Sequence, residues 1–267
     1  MVKRGIATCV SFNLLLGKGG FFINIILDET ICNVVVDYRK TLHQIPETAF
    51  NEFKTRDFLK TELLKLGFSA EEVAKTGLIA YKKGQSNGAV AFRADMDALN
   101  VTEKSGVDYI SKHEGVMHAC GHDGHMSILL GLARYCSDKV LKKDLVLIFQ
   151  PAEEGPGAAE IIVKEGYLKK YNVEKIFGLH IFPEIPEGKI GLKSGVLMGQ
   201  VGEFSIDIQT KSGHAAMPHQ GRDAIYISSL LIQAYQGIIA RSVDPTEGSV
   251  LSVGKIMAGK ARNIIAG

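Results

Sequence analysis

The sequence predicts an α/β fold, with a mostly parallel sheet carrying helices on both faces, followed by a smaller α+β domain. Strand-length apolar runs at Leu78–Tyr81, Ala89–Phe92, Leu145–Phe149 and Lys175–Leu179 alternate with helical stretches, the pattern of a layered α/β domain. From about residue 200 the pattern changes. Val201–Thr210 sets Phe204, Ile206 and Ile208 against Ser205, Asp207 and Gln209, as suits a strand with one wet face. The chain has 267 residues and is 46% hydrophobic, enough to build a real core and to exclude disorder as its dominant state.

Residues 1–36 are set apart as an N-terminal extension. Met1–Arg4 carries two basic residues and Gly5–Gly17 is mostly apolar, the outline of a short signal peptide. A second apolar run, Phe21–Leu27, comes next, but neither run reaches the ~18 apolar residues of a membrane span. Residues 37–199 are read as the first domain. Phe53–Leu66 places apolar residues at 53, 58, 59, 63, 64 and 66, with Gly67 as the stop, and so predicts an amphipathic helix. Further helices are predicted at Met126–Cys136 and Ala158–Lys169. Residues 200–267 form the second domain, with a long helix at Asp223–Arg241 and a strand at Gly248–Val253.

Composition narrows the function. Basic and acidic residues number 31 and 29, a net charge of +2, which leaves no electrostatic footprint for nucleic acid. Cys9, Cys32, Cys120 and Cys136 contain no CxxC pair and make no disulfide framework, so a reducing, cytoplasmic setting is expected. No membrane partner is expected either.

Three predicted strands run into polar residues: Arg93-Ala94-Asp95-Met96-Asp97, Gln150-Pro151-Ala152-Glu153-Glu154, and His180. Ligand sites of open parallel sheets lie beyond the carboxyl ends of the strands. Between the first two lies Met117-His118-Ala119-Cys120-Gly121-His122-Asp123-Gly124-His125. Cys120 and His122 are too close in sequence to share a helix face, but they can converge from a tight loop around Gly121. Taken alone, Cys-x-His is more often a small buried thiol beside a loop histidine. With a glutamate and a histidine arriving from other strands, a metal site is favoured, for which thiolate and imidazole suit zinc and tolerate manganese or cobalt. Glu153 and Glu154 point opposite ways if extended, so that one can bind a cation while the other moves a proton, the minimum equipment for hydrolysing an amide with metal-activated water. The bland alternative is a solvated acidic turn. Gly213-His214-Ala215-Ala216-Met217-Pro218-His219 is either a turn with two surface histidines or a loop that offers His214 as an oxyanion donor.

These motifs, together with Leu42-His43-Gln44-Ile45-Pro46-Glu47 and Gly178-Leu179-His180, resemble in order and spacing the aminoacylase-type metallopeptidases. The likeness runs from about Asp37 to the chain end. The N-acyl-amino-acid amidohydrolase branch, which includes hippurate hydrolase, auxin-conjugate hydrolases and N-acetyldiaminopimelate deacetylase, is the most similar. Glu114–His118 and Ile148–Gly157 look most like the deacetylases. The resemblance implies a dinuclear-metal, exopeptidase-like catalytic domain with an inserted α+β lid. It further implies two divalent ions (Mn2+ or Zn2+) held by Cys120, His122, Glu154 and His180, with Glu153 as general base and Asp95 as a supporting acid. His214 would reach the active site of the second copy in a homodimer formed through the lid, and Asn263 would lie near the carboxylate of a small N-acyl amino acid. Asn100 stands where the family usually has proline, and Ala158 where it usually has glycine. The resemblance also implies a further histidine ligand and the last strands and helices beyond Gly267, so the alternative expectation is an inactive, truncated chain that retains only metal binding or dimerisation.

Overall fold

A computed structural model describes residues 29–267, which divide into two compact units between Ile190 and Gly191. The signal-like and apolar runs before residue 29 lie outside the described residues. The first unit opens with helices α1 (Glu29–His43) and α2 (Phe53–Lys65), then strands β1 (Ser69–Val73), β2 (Gly77–Lys82) and β3 (Ser86–Asp95). Helix α3 (His122–Cys136), strand β4 (Lys143–Gln150), helices α4 (Ala159–Lys164) and α5 (Tyr167–Lys170) and strand β5 (Val173–Gly178) complete it.

The five strands form one sheet in the order β1-β2-β4-β3-β5. β3 pairs in parallel with both β4 and β5, while β1 and β2 add antiparallel pairings on the β4 side. The sheet is therefore mixed, and its parallel part is the part whose strand ends carry the polar motifs. Both faces of the central strand β4 are buried, as its continuous apolar run requires, whereas the edge strand β5 is largely exposed. Leu145, Leu147 and Phe149 of β4 turn to a core built with Leu42, Leu59, Leu63, Met126 and Leu130, drawn from α1, α2 and α3. Val146 and Ile148 turn to the opposite core with Ala91, Ala158 and Ile162. Helices thus cover both faces.

Most element ends move by one or two residues from their predicted positions, but three differences have physical causes. Helix α3 starts at His122 rather than Met126, because Gly121, at φ 83°, turns the chain directly into the first helical turn. The histidine motif is therefore the start of a helix, not a loop ahead of one. The stretch predicted as one helix over 158–169 breaks into α4 and α5 at Gly166, which sits at φ 81°. Strand β1, Ser-Ala-Glu-Glu-Val, is not evident in the sequence; its side chains are mostly half-exposed, so it carries no apolar run.

Helix α1 begins eight residues before Asp37 and packs along α3, where a Cβ added to Gly131 would come within 2.5 Å of Val35 Cγ2. Gly131→Val should therefore cost about 1–3 kcal/mol through overpacking. Urea denaturation would check this, and Gly131→Val in a Val35→Ala background should recover part of the loss.

In the second unit, strand β6 (Gly213–His214) pairs antiparallel with β7 (Ile264–Ile265), and helix α6 spans Ala224–Ser242. The Asp223 carboxylate caps α6 by accepting from the amides of Ile225 and Tyr226. The strands expected at Val201–Thr210 and Gly248–Val253 do not form. Alternating polarity makes a strand only where a neighbour completes the backbone hydrogen bonds, and β6–β7 is the only ladder among the described residues of this unit.

Candidate metal centre

The adjacency that the sequence only suggested is present: β4, β3 and β5 are neighbours and parallel, with Asp95 opposite Gln150 and Arg93 opposite Gly178. Asp95 and Asp97, Glu153 and Glu154, and His180 consequently leave the same edge of the sheet. Helix α3 brings His122 and His125, one turn apart on one face, with their rings 5.4 Å apart.

His122 lies at the centre. Its Nδ1 is 2.9 Å from the Asp97 carbonyl oxygen. A carbonyl only accepts, so Nδ1 carries the proton and Nε2 presents a lone pair. Nε2 is buried without a hydrogen-bond partner, 3.6 Å from Asp95 Oδ2 and 3.9 Å from Glu154 Oε1. Burial opposes a charge on this ring, yet the carboxylates of Asp97 and Asp95 outweigh it and raise the His122 pKa. Positive charge is thus drawn to Nε2. His180 is arranged alike, with Nδ1 2.8 Å from the Ile181 carbonyl and Nε2 3.4 Å from Cys120 Sγ. Burial and the neighbouring carboxylates of Glu154, Asp95 and Glu153 push the Cys120 thiol up to about 12, so a cation binding there must displace a proton.

Among the described residues, three groups each bring their donor atoms within 4.8 Å of one another: Cys120, His122 and His180; His122, Glu153 and Glu154; and Asp95, His122 and His125. His122 belongs to all three. In the third group Asp95 and His125 already have hydrogen-bond partners. His125 Nε2 accepts from the Ile181 amide at 2.9 Å, so its Nδ1 carries the proton and donates to Asp95 Oδ1 at 2.6 Å. Asp95 Oδ2 accepts from Arg93 at 2.8 Å. Burial would lift the Asp95 carboxyl, but the His125 bond and the charges of His122 and Arg93 hold it at about 2. His125 therefore ties Asp95 to the backbone beside His180.

Asp97 and His125 were not singled out from sequence. The signal for His125 was its spacing of three from His122; for Asp97 it was a second acid two residues past Asp95. Asp97 Oδ2 accepts from the Glu154 amide at 2.9 Å, which fixes the backbone of the acidic pair. Glu153 itself is exposed, and partial desolvation of its carboxyl at the sheet edge together with the charges of Glu154 and Asp95 raises its pKa, as suits a group that takes up a proton.

His118 and His43 are buried. Neither His118 nitrogen has a partner, and burial lowers its pKa to about 4. His43 bridges two acids, with Nδ1 2.8 Å from Asp123 and Nε2 3.1 Å from Glu103. The Asp123 hydrogen bond raises the His43 pKa above its usual 6.5 despite burial. Asp123 is buried and Glu103 half-buried, but their hydrogen bonds hold them below 3.8 and 4.5 respectively. A raised histidine stabilises fully below its unfolded value and loses this as pH rises through its folded value; lowered acids stabilise above their unfolded values. The triad should thus stabilise most between 4.5 and 6.5. The stability deficit of His43→Leu, measured by urea denaturation across pH, should be largest near the middle of that window and shrink as the pH rises through the raised His43 value.

His214 and Asn263 belong to the second unit, where the β6–β7 ladder places them side by side. His214 is opposite Ile264, and the Ala215 amide donates to the Asn263 carbonyl at 3.0 Å. The His214 Nδ1 accepts from the Ala216 amide at 3.1 Å, and both side chains are exposed. Among the described residues no helix is long and apolar enough to cross a membrane.

The profile of the peptidase family M20/M25/M40 matches residues 91–261. N-acetyldiaminopimelate deacetylase of Bacillus licheniformis is 44% identical over 231 residues, covering 85% of this chain and 62% of the relative. The Bacillus subtilis deacetylase is 43% identical over 235 residues, covering 87% and 63%. The chain thus spans somewhat over three-fifths of the length of these relatives. Among solved structures, a putative aminohydrolase from methicillin-resistant Staphylococcus aureus superposes with a TM-score of 0.72 at 28% identity, covering 89% of this chain and 65% of that one. The Bacillus subtilis YXEP protein, described as a dinuclear metal-binding peptidase of family M20, gives 0.67 at 31% identity, covering 90% and 62%. With the family profile matched over most of its length and the sheet-edge cluster in place, this chain belongs to peptidase family M20/M25/M40.

Proposed function

We propose that this chain carries the catalytic residues of a metal-dependent amidohydrolase that removes the acyl group from an N-acyl amino acid, with N-acetyldiaminopimelate as the substrate suggested by its relatives' names. The observation that carries the proposal is the buried, unpartnered His122 Nε2, a lone pair facing carboxylates at distances too long for hydrogen bonds. The donor set of thiol, imidazoles and carboxylate fits a borderline-soft divalent ion. Cys120, His122, Glu154 and His180 would hold two such ions, Mn2+ or Zn2+, which when bound would polarise the acyl carbonyl and lower the pKa of water so that it gives up a proton more readily.

The rest falls to the chain's own side chains. Glu153 takes the proton from the attacking water and hands it to the nitrogen of the leaving amino acid. Asp97 holds His122 by its carbonyl and Glu154 by its carboxylate, and His125 holds Asp95; these bonds fix the ligand tautomers in advance. In a homodimer, His214 of each chain would steady the oxyanion in the other's site, and Asn263 beside it would bind the substrate carboxylate. Three thiols, Cys32, Cys120 and Cys136, are free among the described residues, as suits a reducing cytoplasm.

The experiment measures release of free amino acid from N-acetyldiaminopimelate, from hippurate and from unblocked dipeptides, with added Mn2+ or Zn2+. Metal-dependent cleavage of the acylated substrates in preference to dipeptides is expected. Metal binding without cleavage of any of them would leave a metal-binding module in place of an enzyme. Mixing His214→Ala with Glu153→Gln chains should restore activity that neither has alone, because a mixed dimer holds one intact site; no recovery would remove the shared site.

A further inference from the structure

We propose that Glu52 is a positioning residue for the Glu153–Glu154 turn, its carboxylate gripping the backbone that presents the two acids. Calling those acids catalytic rests on the function proposed above; the grip itself does not. Glu52 precedes α2 and is 0% exposed. Its Oε1 accepts from the Ala152 amide at 2.8 Å, and its Oε2 accepts from the Thr76 hydroxyl at 2.6 Å.

The gripped segment needs holding. Ala152 sits at φ 53°, in the left-handed region that a residue with a Cβ seldom enters, immediately after Pro151 and before Glu153. Two residues on, the Glu154 amide donates to Asp97 Oδ2 at 2.9 Å. The amides flanking Glu153 are thus anchored by two buried carboxylates, one from the start of α2 and one from the end of β3. The β1–β2 turn closes the arrangement from a third side. Ala74 and Lys75 are at φ 43° and 72°, Thr76 reaches Glu52, and a Cβ added to Gly77 would lie 2.7 Å from Pro151 Cδ.

The cost of the arrangement indicates its purpose. Burial pushes the Glu52 carboxyl up, and the nearby Asp97 adds to that push, while the bonds from Thr76 and from backbone amides oppose it. Both partners are neutral donors, so geometry rather than charge is being used. A glutamine can repeat that geometry: its oxygen accepts from Ala152 and its amide donates to the Thr76 oxygen, which can also accept. An aspartate keeps the charge but is one methylene too short to span both partners. An electrostatic role for Glu52 demands the opposite ranking.

The test compares Glu52→Gln and Glu52→Asp in the full chain by NMR-detected amide hydrogen exchange and by Zn2+ titration, with Leu147 in β4 reporting on the fold as a whole. Glu52→Asp should speed exchange of the Ala152 amide by about tenfold or more while Leu147 stays protected. It should also weaken Zn2+ binding by about tenfold, the scale of a lost supporting contact. Glu52→Gln should leave both near the wild-type values. If the wild-type chain deacylates N-acetyl substrates, kcat should fall in the aspartate variant with KM little changed, and hold in the glutamine variant. Wild-type exchange in Glu52→Asp, or equal damage in Glu52→Gln, overturns the proposal. Should Glu52→Asp fail to fold, the glutamine variant decides alone, since fast Ala152 exchange there rejects the grip and slow exchange upholds it. A wild-type chain that binds Zn2+ but cleaves nothing would reject the amidohydrolase function and leave the exchange result to decide the role of Glu52.

Discussion

Glu153→Gln should lower metal-dependent amide hydrolysis by about 10²–10⁴-fold, the usual worth of a general base, while metal content by elemental analysis stays at the wild-type level. Glutamine matches the shape of glutamate but has no basic oxygen to take a proton from water. The prediction depends on dividing labour between adjacent acids. Glu154 Oε1 lies 3.9 Å from His122 Nε2, and its amide is tied to Asp97. The Glu153 carboxyl has its pKa raised by partial desolvation and by its acidic neighbours. Its side chain is exposed at the end of the sheet, where a substrate can reach it. Glu154→Gln should behave differently, losing metal and activity together. If Glu153→Gln lost metal instead and Glu154→Gln kept it, the two roles would be exchanged.

The parts of the molecule that were legible in the sequence are those in which a single local pattern decides the outcome. Leu145–Phe149 reads as a strand buried on both sides because every residue is apolar, and its alternate side chains indeed enter opposite cores. The strand-end acids and His180 were legible because neighbouring parallel strands all deliver their C-terminal residues to one edge. The features that escaped depend on contacts between distant segments. Glu52 looks like any acid ahead of a helix until Ala152, 100 residues later, donates to it. His125 looks like one more histidine of the motif until its ring nitrogens are seen to hold the Ile181 amide and Asp95. Asp97 acts through a backbone carbonyl as well as its carboxylate, and no residue type announces a carbonyl. The unformed strand at Val201–Thr210 makes the converse point. Its alternation is correct for a strand, but a ladder needs a second strand, and the sequence of one segment cannot supply it.

His122→Ala should weaken Zn2+ binding more than any other single change in the chain, because His122 alone contributes to all three groups of donor atoms. Cys120→Ala should also lose metal, since its sulfur and His180 Nε2 stand 3.4 Å apart and both lie within 4.8 Å of a His122 donor atom. Changes to the supporting residues should cost less: Asp97→Asn and His125→Asn about 10–100-fold in affinity, the range for groups that orient a ligand without touching the ion. The ordering carries more weight than any one value. His125 lies as close to Asp95 and His122 as a ligand would, and only the use of both its ring nitrogens distinguishes it from one. Isothermal titration of the four variants with Zn2+, with thermal melts in chelator to confirm that each still folds, would rank them. A His125 variant that loses metal as completely as His122→Ala would make His125 a ligand and break the internal pairing with Asp95. Unchanged affinity in Cys120→Ala would remove the thiol from the centre and leave a site of imidazoles and carboxylates, a harder donor set that accepts manganese as well as zinc.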